Sequence, residues 1–161
     1  MKVAKVTARP KRRKDDDILA CILSESSHPV DGCTALKVSR QEWIDRIRAG
    51  LTGEMVFSLA RKMRVPQKDM AERLHTTPRT VQRHIEQRQN LSPEVSDRLA
   101  QLIKVYCRCN EVFKDEEKVS MWLKSPNYAL GGVTPFSLMD TMIGIELILD
   151  ELGRIEHGVF I

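Results

Sequence analysis

The chain is 161 residues long, enough for one domain or two small ones, each with a buried core. It is 42% apolar, 30% charged and 5% aromatic, which excludes a collagenous, mucin-like or wholly disordered chain and leans toward helix. The net charge of +4 is unevenly laid out: +7 over residues 1–14, −4 over 15–60, +5 over 61–90 and −4 over 91–161. Two basic islands in an otherwise acidic chain point to a polyanionic partner at two places.

Residues 1–38 hold a basic run (Lys11 to Lys14), an acidic triplet (Asp15 to Asp17), a short apolar patch (Ile18 to Leu23) and a Ser/His/Pro/Gly stretch (Ser24 to Gly32). This composition reads as a mobile basic arm. The arm is either a solubilising tail or a salt-dependent contact to phosphates or the minor groove. Its basic start is followed by no apolar run of signal-peptide or membrane-span length, so a cytoplasmic protein with reduced thiols and no membrane contact is expected. Cys21, Cys33, Cys107 and Cys109 form no C-x-x-C pair and have no spaced His pair to complete a zinc site. No metal and no cofactor is therefore expected.

Ordered structure is expected to begin at Ser39, where Ser39 and Glu42 have capping-box spacing and Trp43, Ile44 and Ile47 share a face. That gives a helix over about 40–49, stopped at Gly50. A second, over about 53–63, carries Val56, Leu59 and Met63 at spacings of three and four. Pro66 introduces a third, ending near Leu74. Thr77-Pro78, Ser92-Pro93 and Thr134-Pro135 each combine an N-cap residue with proline at the first helical position. They predict helices to about Arg88, Asn110 and Leu152, with a further helical element over 112–124 and a glycine-rich turn at 127–133. No segment alternates with period two over a strand length, so the expected class is all-α.

Residues 67–88 have the form of a helix-turn-helix. Met70 and Leu74 lie one turn apart, Ala71 is small where a second helix crosses, and His75 stands at a turn position where a left-handed residue is wanted. With Val81 at the centre of the buried side of the second helix, His84, Ile85 and Pro78 fall near it, and Arg79, Gln82, Arg83 and Glu86 fall opposite. Guanidinium and amide groups pair bidentately with guanine and adenine in the major groove. Thr77 and Thr80 flank the helix N-terminus, where phosphate binds. The expected DNA contacts are thus Thr77, Arg79, Thr80, Gln82, Arg83 and Glu86.

In the C-terminal half, Val95, Leu99, Leu102 and Tyr106 form an ordinary core stripe. The last helix differs: Leu138, Met142, Ile145, Leu149 and Leu152 repeat at 4, 3, 4, 3, while Met139, Ile143, Leu147 and Ile148 widen its apolar arc. A second copy of the chain would cover the excess, giving a homodimer, which is the expectation over simple burial within a monomer. After Gly153, the segment Arg154, Ile155, Glu156, His157, Gly158, Val159 and Phe160 has charges and an apolar end, which suit docking into another protein's cleft. No nucleophile, base and orienting group are placed together, so no enzyme is expected. These features also fit a stand-alone regulator whose C-terminal half only dimerises or binds an effector.

Four strings resemble one family at its spacing: Trp122-Leu123, N-x-A-L-G-G-x-T-P over Asn127 to Pro135, L-x-D-T over Leu138 to Thr141, and G-R-I-E-H-G-V-F over Gly153 to Phe160. Together they make residues 39–161 similar to the Xre/MbcA/ParS antitoxins, specifically the Xre-type antitoxin paired with a RES-domain toxin. The resemblance leaves the arm (1–38) uncovered and implies a dimeric helix-turn-helix DNA-binding region (39–91) and a dimerising, toxin-binding region (92–161). It further implies operator DNA, a palindrome in the chain's own promoter, as one partner. The other is a RES-domain toxin, similar to ADP-ribosyltransferases, that depletes NAD. On that footing the segment from Arg154 to Phe160 is expected to leave the helix at Gly153 as an extended peptide and cap the toxin's NAD cleft.

Overall fold

The computed structural model describes residues 40–158, so the basic run, the Ile18 to Leu23 patch, Ser39 of the capping box, Val159 and Phe160 lie outside the described residues. Among the described residues the chain is all-α. Its helices are α1 (Arg40–Ala49), α2 (Gly53–Lys62), α3 (Gln67–Arg73), α4 (Pro78–Glu86), α5 (Pro93–Phe113), α6 (Glu116–Lys124), α7 (Pro135–Leu138) and α8 (Met142–Glu156). A single 3-10 turn at Tyr128–Leu130 interrupts the loop between α6 and α7. No described helix is long and apolar enough to cross a membrane.

The three Thr/Ser-Pro signals each open a helix. Thr77, Ser92 and Thr134 accept backbone N–H bonds from Thr80 (3.1 Å), Val95 (3.4 Å) and Ser137 (3.2 Å). α5 outruns its expected end by a turn, absorbing Val112 and Phe113, and closes on Lys114 in the left-handed region at φ 52°. α4 stops at Glu86, two residues early, ahead of the left-handed Arg88.

The helix expected over 134–152 is the main departure. α7 lasts four residues, and a new helix starts at Thr141, whose hydroxyl accepts from Gly144 N at 3.0 Å. The helical spacing of the apolar residues on either side of Asp140 and Thr141 conceals this break. Physically, the break rotates α7 so that Met139 is fully buried, and leaves the Asp140 carbonyl to accept a bond from Arg98. Nor does Gly153 end α8, which continues to Glu156.

The core lies around α5, which packs on α8, α1 and α6. Leu99, Leu102, Val105, Tyr106 and Cys109 are all buried. Burial pushes Tyr106 up to about 12, and pushes the Cys109 thiol up as well, so both groups are neutral at physiological pH. On α6, Trp122 meets Phe113 with ring centroids 5.4 Å apart.

Gly144 is where α7 and α8 approach most closely. A Cβ there would lie 1.9 Å from the Leu138 carbonyl oxygen, which is backbone and cannot swing aside. Gly144→Ala should force the joint apart, at the upper end of the overpacking range or about 3 kcal/mol, and lower the thermal midpoint accordingly. An unchanged melting curve would show that the joint is looser than this packing requires.

Candidate functional site

The segment from Gln67 to Glu86 folds as two short helices about a tight turn. His75 sits in that turn at φ 53°, and its N–H donates to the Glu72 carbonyl at 3.0 Å, while Thr76 N–H donates to Ala71 at 3.0 Å. The turn delivers α4 against α2 with Val81 fully buried and His84, Ile85 and Pro78 half-buried. Arg79, Gln82, Arg83 and Glu86 are exposed on the other side. The helical wheel drawn from the sequence is therefore the wheel of the structure.

Two details go beyond it. The Thr77 and Thr80 hydroxyls lie 2.9 Å apart, and Thr77 also caps the helix, so these oxygens are already engaged with each other and with the backbone. Gln82 Nε2 donates to Glu86 Oε1 at 3.1 Å, which leaves its second N–H and its Oε1 for a base. Among the described residues no carboxylate pairs with Arg79 or Arg83. Those two guanidinium groups are the ones ready to meet an anion.

The other expected site is partly helical. Arg154, Ile155 and Glu156 form the last turn of α8 and do not extend from it; Arg154 has its partner within the helix and Glu156 has one on α5. Arg154 Nε donates to Glu151 Oε2 at 2.8 Å, and Glu156 pairs with Arg108 on α5, which also holds Glu111 at 3.0 Å. The Arg108 guanidinium holds the Glu156 carboxyl below the usual range and is itself pushed up by that bond. The chain leaves the helix at His157 and Gly158, the latter at φ 68°. A free extended peptide from residue 154 onward is thus corrected to an anchored turn, with the exit point three residues later.

Arg98, Arg108 and Glu151 are structural partners that sequence reasoning missed. Arg98 Nε donates to the Arg73 carbonyl at 3.2 Å while its Nη2 donates to Asp140, joining the end of α3 to the α7–α8 joint. Beside it the Arg73 guanidinium lies 5.3 Å over the Phe136 ring. Elsewhere, Lys62 meets Glu116 at 2.7 Å and Lys124 Nζ donates to the Arg64 carbonyl at 2.6 Å. Apart from the i,i+3 pairs Arg108–Glu111 and Glu151–Arg154, these contacts have no local spacing that a sequence pattern would reveal.

A helix-turn-helix with two unpaired arginines on its outer face thus shares one body with a second helical unit that ends in an anchored turn. Residues 42–104 match the family model described as the antitoxin Xre-like helix-turn-helix domain, and residues 109–158 match the antitoxin Xre/MbcA/ParS C-terminal toxin-binding domain. The chain belongs to the Xre family of antitoxins. It is 28% identical over 118 residues to a protein named antitoxin Xre from Yersinia enterocolitica serotype O:8, covering 73% of this chain and 80% of that one. A protein from Sphingobium sp. strain YBL2, named Prs ADP-ribosylating antitoxin, is 29% identical over 133 residues, 77% and 84% of the two chains. An antitoxin Xre from Photorhabdus laumondii is 38% identical over 65 residues, 40% and 44% of the two. As an Xre-family antitoxin the chain has a toxin as one partner and DNA as the other, and its role is to hold a toxin.

The anchored turn has a measurable signature. A carboxyl held below its unfolded value stabilises the folded state above the ordinary range and loses that contribution as pH falls through the folded value. The Glu156 side chain should therefore titrate below the ordinary Glu value of about 4.3 in a carboxyl-detected NMR experiment. The last turn of the antitoxin's α8 should stay intact down to about pH 5 and loosen below about pH 4. A Glu156 midpoint at or above the ordinary value would mean that the Arg108 pair does not form in solution.

Proposed function

We propose that this antitoxin neutralises a RES-domain toxin that consumes NAD, acting through residues 92–161 and above all the segment from Arg154 to Phe160. In the same reading it binds a palindromic operator in its own promoter through residues 39–91, as a homodimer, and represses its operon. One observation carries this: α4 offers Arg79 and Arg83 unpaired and outward, on a chain whose other half matches a toxin-binding domain. The Sphingobium relative's name connects it with ADP-ribosylation, chemistry that draws on NAD, and so supports an NAD-using partner for this chain too.

The dimer is supported by three side chains on α8 left outside the core, Met142 (45% exposed), Ile143 (72%) and Leu147 (46%). Pairing them across a two-fold axis would cover apolar surface and present two α4 helices to half-sites about 34 Å apart, one DNA turn. Met139 and Ile148, counted in that arc from the sequence, are fully buried and contribute nothing to such a seam.

At the toxin end, the helical turn would set the direction of the chain, and His157 to Phe160 would enter the cleft. Val159 and Phe160 would fill an apolar slot meant for a ring. Glu156, committed to Arg108, serves as an anchor in this reading and not as a mimic of pyrophosphate.

Two experiments test the proposal. Replacing Arg79 and Arg83 together with Ala should weaken operator binding by about 2 to 6 kcal/mol if both make bidentate base contacts, and leave toxin protection intact. An unchanged gel shift at fixed salt would sink the DNA assignment. Truncation after His157 keeps the Arg108 anchor, so the protein should fold and bind operator, yet cells co-expressing the toxin should lose NAD and stop growing. Normal growth with undiminished NAD would remove the segment from the inhibitory role.

A further inference from the structure

In a chain that is 30% charged, the fifteen residues from Ser125 to Met139 contain no Lys, Arg, Asp or Glu. This stretch is not simply core. Tyr128, near its start, is 94% exposed, and Val133 is 41% exposed. An aromatic ring held almost entirely in water, in a stretch of chain without charge, contributes nothing to the core of the single chain.

The backbone beneath it is rigid. Asn127 N–H donates to the Val133 carbonyl at 3.0 Å, and the Asn127 carbonyl accepts from Leu130 (3.1 Å) and Gly132 (2.9 Å). The Asn127 side-chain oxygen accepts from Ala129 N–H at 2.8 Å, and Gly131 N–H donates to the Tyr128 carbonyl at 3.0 Å. Leu130 plugs the turn into the core. Gly131 and Gly132 stand at φ 79° and 77°, a left-handed pair that only glycine adopts cheaply, and a Cβ on either would meet nothing within 4 Å. The result is a knuckle closed by five internal hydrogen bonds, with bare backbone on its outer side and Tyr128 and Val133 turned outward.

We propose that this knuckle is a second anchor for the toxin, with Tyr128 as its central contact, adjoining the segment that begins at Arg154. The inference rests on the toxin-binding reading given above and adds a surface to it. Continuity is the first argument: Asn127 Nδ2 donates to Glu151 Oε1 at 3.5 Å while Glu151 Oε2 holds Arg154 at 2.8 Å, so one carboxylate ties the knuckle to the root of the segment. The knuckle also lies within the residues matched by the toxin-binding domain. Chemistry is the second: the stretch itself contributes no cation to hold a phosphate, which favours a protein partner. Position is the third. The apolar strip suited to a second copy ends at Leu147, and the same face continues as Asp150 and Arg154. The knuckle packs on that later, charged half of α8, whose Glu151 lies about 12 Å along the axis from Ile143. A pre-organised, exposed tyrosine beside a docking segment is the kind of residue on which binding energy concentrates, because little entropy is lost in fixing it.

The test uses full-length antitoxin with a purified RES-domain toxin that the wild-type chain protects against, comparing wild type, Tyr128→Ser, Tyr128→Phe and the truncation after His157. Helical circular dichroism and thermal midpoint should be the same for both Tyr128 variants, since so exposed a side chain makes no core contact. Tyr128→Ser should weaken toxin binding about thirtyfold or more, the hot-spot threshold, with operator affinity and sedimentation unchanged, and Tyr128→Phe should retain most of the affinity. If Tyr128→Ser binds toxin within about twofold of wild type while the truncation loses it, the knuckle is not a contact and the toxin-binding reading stands. A loss of self-association in Tyr128→Ser would make the knuckle a dimer contact and overturn the proposal. If wild type does not bind the toxin at all, the reading and the knuckle fall together.

Discussion

Burial of the stripe on α5 is the constraint from which the rest of the molecule follows. Leu99, Leu102, Val105, Tyr106 and Cys109 leave water along one 21-residue helix, at about 1.5 to 3 kcal/mol for each of the larger apolar side chains. That helix starts beside the DNA-reading unit and ends beneath the last turn of α8. Removing it would strip α1 and α8 of the surface against which each packs most extensively. Arg98, on the same helix, then ties the α3 carboxyl end to the α7–α8 joint, and Arg108, three turns on, holds the end of α8. The DNA-facing and toxin-facing ends are thereby fixed relative to one helix rather than joined by a flexible linker.

Charge is divided between cohesion and recognition. The basic island over residues 61–90 carries +5, yet Lys62 and Arg64 face Glu116 and Glu117 of the acidic half. These exposed pairs are worth little singly, about 0 to 1 kcal/mol, but they turn part of the island inward to α6. What remains on the outer side of α4 is Arg79 and Arg83. The charge arithmetic alone overstates how much of the island meets DNA.

Helix ends show a similar division. Arg64, His75, Arg88 and Lys114 all adopt left-handed conformations after helices, where glycine is the easier choice and a side chain costs roughly 1 to 2 kcal/mol. Three of the four are permanently cationic and lie at the negative end of a helix dipole, which offsets part of that strain. Glycine is kept where no side chain fits, as at Gly144, and where the backbone itself is left uncovered, as at Gly131 and Gly132.

Local chemistry made much of this legible in the sequence. Thr77-Pro78, Ser92-Pro93 and Thr134-Pro135 mark their helix starts because capping and proline geometry depend on a few adjacent atoms. The outward face of α4 follows from a 100° step and one buried valine. The strings from Trp122 to Phe160 carry the family. Tertiary structure alone decided that the run after Pro135 breaks at Thr141, since a pattern of apolar residues is the same whether one helix or two carry it. It also decided that Gly153 does not release the chain, because Glu156 finds Arg108, 48 residues away in sequence. Tyr128 is the plainest case: its residue type suggests burial, and only the closed turn beneath it turns the ring out into water. Spacing reports what a single element repeats, whereas pairing across elements depends on where α5 brings them together.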